Sequence, residues 1–179
     1  MIRTIQKDGS ILDLEESNEE LNKVIWHTTS HMLAQAVKRL YPNTKLGIGP
    51  AIENGFYYDF KVEKPLTEED INKIEEEMKK IIKEDLALER SKLSREEAIK
   101  LMKEKNEPYK VQLIEELPEG EEISFFKQGE FIDLCAGPHI NRTGKVKAVK
   151  LLSTSSAYWK GNQENDTMQR IRFRNTTEK

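Results

Sequence analysis

The chain has 179 residues, enough for one ordinary domain with its own core, or for a domain with a small appendage. Apolar residues make up 36% and charged ones 34%, and no run of about 18 apolar residues occurs, which excludes a helical membrane span. A net charge of −3 argues against a general nucleic-acid binder, and the single cysteine excludes an internal disulfide. With no signal-peptide stretch at the N-terminus, the expected compartment is the reducing cytoplasm.

Residues 1–6 and 11–14 read as two strands about the turn Lys7-Asp8-Gly9-Ser10, since Asp-Gly between alternating apolar residues favours a tight hairpin. An isolated hairpin is marginal, so this one must pack on something else. Residues 15–22 are polar and read as a linker, so that an N-terminal hairpin and linker (1–22) precede a domain over 23–174. A helix over 23–40, stopped by Pro42, carries Leu33, Val37 and Leu40 as one stripe. His27 and His31 lie more than about 100° away from that stripe, beside small Ser30 and Ala34, a position suited to the floor of a cleft.

Next come a strand over 45–52, a turn at Glu53-Asn54-Gly55 and a strand over 56–60. Gly47 and Gly49 leave the backbone bare there, for a turn or for a close ligand approach. Residues 67–83 form the clearest helix: Thr67 and Asp70 make a capping pair, and Ile71, Ile74, Met78, Ile81 and Ile82 make a buried stripe. A short strand at 86–88 leads to a helix capped by Ser94 and running to about residue 105, then to a short helix over 109–117. Strands follow at 122–126, 130–134 and 148–158, with Gly129 and Gly144 in turns. The chain beyond Gly161 is polar, and residues 175–179 are expected to fray. From Arg142 onward nine basic residues face only three acidic ones, a candidate surface for a polyanion.

All three histidines and the lone cysteine fall into two pairs spaced i, i+4: His27 with His31 on one helix face, and Cys135 with His139 around Gly137-Pro138. Two imidazoles, a thiol and a third imidazole match zinc's ligand preferences, either as a catalytic site or as a clamp holding helix to sheet. The same residues also suit a metal-free hydrolytic pocket, where His and Lys position a water beside an oxyanion and Asp133 grips a substrate amine. A Cys135 nucleophile is the weakest reading, because its histidine follows a Gly-Pro turn rather than a helix.

His27-Thr-Thr-Ser-His31, Leu46-Gly-Ile-Gly-Pro50 and Glu53-Asn-Gly-Phe-Tyr-Tyr-Asp59 resemble the editing domain of bacterial threonyl-tRNA synthetases, which is related to alanyl-tRNA editing domains. So do Tyr109-Lys110-Val111, Phe131-Ile-Asp-Leu-Cys-Ala-Gly-Pro-His139 and Ser156-Ala-Tyr-Trp-Lys-Gly161, in order over about residues 23–173. The resemblance implies a two-layer α+β fold with helices packed on an antiparallel sheet. It implies hydrolysis of serine wrongly esterified to tRNA(Thr), with the acceptor end as partner and a threonyl-tRNA synthetase core as a further one. It maps His27, Lys110 and His139 as catalytic, and His31, Tyr58, Asp133, Cys135, Gly49 and Pro50 as substrate-binding. Lys110 and His27 would handle the water, Asp133 the ammonium, and Tyr58 and His139 the seryl and adenosine groups. It favours no cofactor; the zinc alternative would use His27, His31, Cys135 and His139. A non-catalytic acceptor-end module and a zinc-dependent alanyl-type editor are the other readings. The hairpin resembles the opening of a ubiquitin-like leading domain, and no ATP-dependent ligase core is seen in these residues.

Overall fold

A computed structural model describes residues 1–49 and 57–175. Strands β1 (Ile2–Ile5) and β2 (Ile11–Leu14) form the expected hairpin, with Ile2 opposite Leu14 and Ile5 opposite Ile11. Its turn is closed by Asp8 Oδ1, which accepts from both the Ser10 amide and hydroxyl, while Gly9 takes a φ of 87°. Helix α1 (Glu19–Leu40) begins before residue 23, because Asn18 Oδ1 accepts from the Glu20 amide and Glu19 and Glu20 face the positive end of the helix dipole. The cap, not the apolar pattern, sets this start, which is why the polar segment reads as linker. The expected one-sided stripe is also corrected: every α1 residue from 28 to 37 is buried, enclosed by neighbours on all sides.

After α1 come β3 (Lys45–Leu46), β4 (Tyr57–Lys61), α2 (Glu68–Glu84), β5 (Leu88–Leu93), α3 (Arg95–Glu104), α4 (Pro108–Glu116), β6 (Ile123–Gln128) and β7 (Phe131–Leu134). Then follow β8 (His139–Ile140), β9 (Val149–Tyr158) and β10 (Thr167–Asn175). The expected α+β architecture is present, built as two helix-on-sheet units. In the first, α1 and α2 cover the antiparallel sheet β3-β4-β10-β9, with Leu33, Val37, Phe60, Ile74, Met78 and Phe173 in its core. In the second, α3 and α4 cover β5-β6-β7 through Ala98, Met102, Ile114, Ile123 and Phe125. Both predicted capping boxes form, Thr67 with Asp70 and Ser94 with Glu97. The turn expected at residues 53–55 lies outside the described residues, as does the tail beyond Asn175.

Strand β10 is the largest departure from the sequence reading, which left residues after 161 as polar chain. It is a central strand between β4 and β9, with Met168, Ile171 and Phe173 buried and Arg172 and Arg174 exposed. One buried face is enough for an antiparallel strand; the strict alternation is broken between Met168 and Ile171, and the pairing register with β9 shifts between Ile171 and Phe173. Strand β5 likewise extends through polar residues to Leu93, paired along its length with β6.

Gly47 shows how closely β3 is held to the sheet. Its amide donates to Asp59 O at 2.9 Å, and a Cβ there would sit 2.8 Å from that carbonyl oxygen and 2.7 Å from Met168 Cε. Gly47→Ala is therefore expected to destabilise the protein by about 1–3 kcal/mol, read as a lower denaturation midpoint with an unchanged m-value.

Candidate functional site

Five elements bring the singled-out residues together. Helix α1 supplies His27 and His31, one turn apart on one face. Pro108 at the first position of α4 sets that helix's start, which carries Lys110 into the interior at 2% exposure. In β7 the period of two puts Phe131 and Asp133 on the buried side, and Cys135 continues that alternation. Strand β4 contributes Tyr58, and β8 contributes His139.

Asp133 is the polar centre. Its carboxylate is 1% exposed; Tyr58 Oη donates to Oδ2 at 2.8 Å, and Lys110 Nζ lies 3.1 Å from Oδ1. His31 Nε2 stands 3.8 Å from Oδ2. Oδ1 accepts no well-aligned hydrogen bond among the described residues, so a buried acceptor has capacity left over. Burial, and then the Asp133 charge, push the Tyr58 phenol well above its ordinary range, so it stays a donor.

A second cluster adjoins the first. His27 Nδ1 lies 3.0 Å from Pro138 O, a contact that places its proton on Nδ1 and its lone pair on Nε2, 3.1 Å from Cys135 Sγ. His139 Nε2 lies 3.2 Å from the same sulfur, and the Gly137 amide donates to it at 3.2 Å. Thr28 Oγ1 is 2.9 Å from His139 Nδ1 and accepts from the Ile140 amide at 3.1 Å, locking α1 to β8. The His139 ring stands 4.4 Å, centroid to centroid, from each of His27, His31 and Phe126.

Burial holds all three imidazoles neutral: His31 is lowered to about 3, His27 is lowered, and His139 lies well below its usual value. Burial also pushes the Cys135 thiol up to about 12, which removes the thiolate that a cysteine nucleophile needs.

A cavity of about 690 Å³ opens over this centre, within the range of small-molecule sites. His27, His31, Tyr58, Lys110, Asp133 and Cys135 all line it, and so does Gly49. Pro50 lies outside the described residues. His139 is brought to the cluster but not to the cavity: it is fully buried behind Cys135. Sequence reasoning did not single out Thr28, whose place inside the His-Thr-Thr-Ser-His motif was the available signal. It also gave no role to Leu113 and Leu117 on the cavity's apolar wall, or to Lys7 and Lys23, which line it too.

The histidine–cysteine set fits a metal ion. One donor atom from each of His27, His31, Cys135 and His139 lies within 4.8 Å of the others. Zinc bonds of about 2.0–2.3 Å place tetrahedral donors roughly 3.5 Å apart, and the two Sγ–Nε2 separations of 3.1 and 3.2 Å come near that. The contacts from His27 Nδ1 to Pro138 O and from His139 Nδ1 to Thr28 leave each Nε2 free toward the centre, the usual outer support of a metal-binding histidine.

The basic C-terminal stretch is less free than its composition implies. Arg142 pairs with Asp85 at 3.0 Å, Lys147 with Glu16 and Lys150 with Glu75 at 3.6 Å, and Arg170 with Asp59 at 2.8 Å; Lys160 pairs with Glu116. Lys145, Arg172 and Arg174 make no ion pair among the described residues.

The site is a cavity on an α+β scaffold in which a His/Cys cluster adjoins a buried carboxylate. Residues 123–172 match the family model described as "Threonyl and Alanyl tRNA synthetase second additional domain". The chain is 66% identical over 167 residues to a threonine--tRNA ligase of Caldanaerobacter subterraneus subsp. tengcongensis, covering 93% of this chain and 26% of that protein. It is 74% identical over 145 residues to that of Acetivibrio thermocellus (81% and 23%), and 59% identical over 171 residues to that of Clostridium tetani (96% and 27%). These matches are consistent with the threonyl-tRNA synthetase additional domain that the motifs resemble, and the chain spans about a quarter of the length of the curated relatives it matches. Among the described residues, no helix is long and apolar enough to cross a membrane.

Proposed function

We propose that this chain is an aminoacyl-tRNA deacylase, hydrolysing the ester of seryl-tRNA(Thr) and sparing threonyl-tRNA(Thr), as part of a threonyl-tRNA synthetase or beside one in the cytoplasm. The observation that carries this reading is the buried Asp133 carboxylate, oriented by Tyr58 and Lys110 with acceptor capacity to spare, across a cavity from His27. In this reading residues 23–174 are the deacylase domain and 1–22 its N-terminal extension.

Asp133 Oδ1 receives the substrate's ammonium, and the Tyr58 hydroxyl keeps the carboxylate from rotating away. The Lys110 ammonium lies close enough to stabilise negative charge developing on the ester carbonyl oxygen. His27, neutral and with its lone pair on Nε2, accepts a proton from the attacking water and returns it to the departing ribose oxygen. His139 and Thr28 hold His27 and Cys135 in place from behind, a supporting role rather than contact with the substrate. Serine is threonine less one methyl, and a binding pocket rejects a smaller competitor poorly, so a second, tighter site is the physical answer. The bare Gly49 backbone would form the wall that a threonyl methyl meets.

A metal-dependent variant is the second reading, and the converging donor set is what supports it. A zinc ion held by His27, His31, Cys135 and His139 would supply Lewis acidity toward the ester carbonyl.

The deciding experiment compares seryl- and threonyl-tRNA(Thr) hydrolysis by the wild type and by His27→Ala, with and without a chelator. Expected are selective release of serine, a loss of at least about 100-fold in the variant, and no chelator effect. A wild type that leaves both esters intact, or a His27→Ala protein as active as wild type, overturns the deacylase reading. Activity lost to the chelator and restored by zinc overturns the metal-free mechanism.

A further inference from the structure

Resting on the deacylase reading, we infer that the N-terminal hairpin is a built part of the site, and that Lys7 on its turn binds the phosphodiester next to the ester-bearing terminal nucleoside. The hairpin does not hang free. Strand β1 pairs antiparallel with β8, setting Ile5 opposite His139 and Thr4 opposite Ile140, so the chain leaving β1 runs past the wall formed by Cys135 and Gly137. Ile5 packs in one apolar cluster with Phe126 and Cys135.

The turn itself is anchored from the opposite side. Arg90 on β5 donates to Lys7 O at 2.7 Å and pairs with Glu122, and a Cβ on Gly9 would come within 3.2 Å of the Arg90 guanidinium. Backbone anchoring on one side and strand pairing on the other fix where the Lys7 side chain leaves the turn.

That side chain lines the cavity, and its ammonium makes no ion pair among the described residues. It is near enough for its charge to act on both His27 and Cys135. Lys23, also at the cavity, is already engaged by Glu20 at 3.4 Å. Among the described residues that line the cavity, Lys7 is thus the cation without an ion-pair partner.

The cavity is far larger than a seryl group needs, and has room for the nucleoside that carries it. An ester on a terminal ribose puts the first phosphodiester of the chain just outside the nucleoside, where an ammonium held at the rim would meet it. The ligand is therefore an anionic phosphodiester, held by one point charge with no base-reading contact.

The test measures hydrolysis of seryl-tRNA(Thr) and of the seryl ester of adenosine, which has no phosphate, by wild type, Lys7→Glu and Lys100→Glu. Lys100 is exposed on α3, away from the cavity, and controls for the general change of charge. Lys7→Glu is expected to raise KM for seryl-tRNA about five- to tenfold at low salt, well beyond any change it causes on the adenosine ester through its charge near His27. The effect should shrink as salt rises, and Lys100→Glu should behave as wild type. Equal losses on both substrates, no change on either, or an equal effect of Lys100→Glu overturns the role of Lys7 while leaving the deacylase reading intact. A wild type inert toward both esters overturns that reading, and this inference with it.

Discussion

Lys110→Ala is expected to lower folding stability by about 3–5 kcal/mol and to remove deacylation together with it. Lys110 and Asp133 are both buried, with Nζ and Oδ1 3.1 Å apart, and among the described residues the only other close polar contact to that carboxylate is the neutral Tyr58 hydroxyl, with His31 further off. Removing the ammonium leaves a carboxylate out of water without its counter-charge, which costs far more than the attraction the pair supplied. The double variant Lys110→Met/Asp133→Asn separates the two roles. It has no buried charge to strand, so most of the lost stability should return, measured as the urea midpoint, while deacylation stays absent. A Lys110→Ala protein as stable as wild type would show that the carboxylate does not depend on this partner, and a double variant with restored activity would remove both residues from the chemistry.

Acid is expected to destabilise the chelator-treated protein from about pH 6.5 downward, before most carboxylates titrate. His27, His31 and His139 are all held neutral by burial, so each has a folded pKa below its value in the unfolded chain. The unfolded state then binds more protons than the folded one, and the unfolding free energy rises with pH through this window. Stability from these groups is complete above pH 6.5 and is lost as pH falls through their folded values. For His31, lowered from 6.5 to about 3, the full loss is about 5 kcal/mol at most. Urea titrations at pH 7.5, 6.0 and 5.0 check the sign. A His31→Gln protein should show a shallower decline, and a wild type equally stable at pH 7.5 and 5.0 would mean that the buried imidazoles gain no protons on unfolding.

The same burial shapes activity. A general base that stays neutral below its ordinary pKa should keep the acid limb of kcat/KM under pH 6.5, although its reduced basicity limits the rate gained from each proton transfer.

How much was legible beforehand differs from one feature to the next, for physical reasons. Helix α2 and the capping pairs at Thr67 and Ser94 were readable because a cap and a 3.6-residue apolar repeat are local. The start of α1 was missed because its cap stands among exposed polar residues. Strand β10 was missed because three arginines share it with Met168, Ile171 and Phe173, and only pairing with β4 and β9 makes a strand of that mixture.

The site divides in the same way. The sequence by itself determined which chemistry was present: three imidazoles and one thiol in two pairs four residues apart, and an Asp two residues before the cysteine, sharing its face in an extended chain. Motif order was also enough to indicate the synthetase additional-domain family. Tertiary structure alone decided that Lys110, far along the chain, becomes the counter-charge of Asp133. It also decided that His139 sits behind the cavity and that the N-terminal hairpin runs along its wall. Spacing along one element is set by backbone geometry, which any sequence displays. Which elements meet, and which side chains lose water when they do, depends on packing between residues distant in the chain, and burial in turn decides which of these groups carry charge.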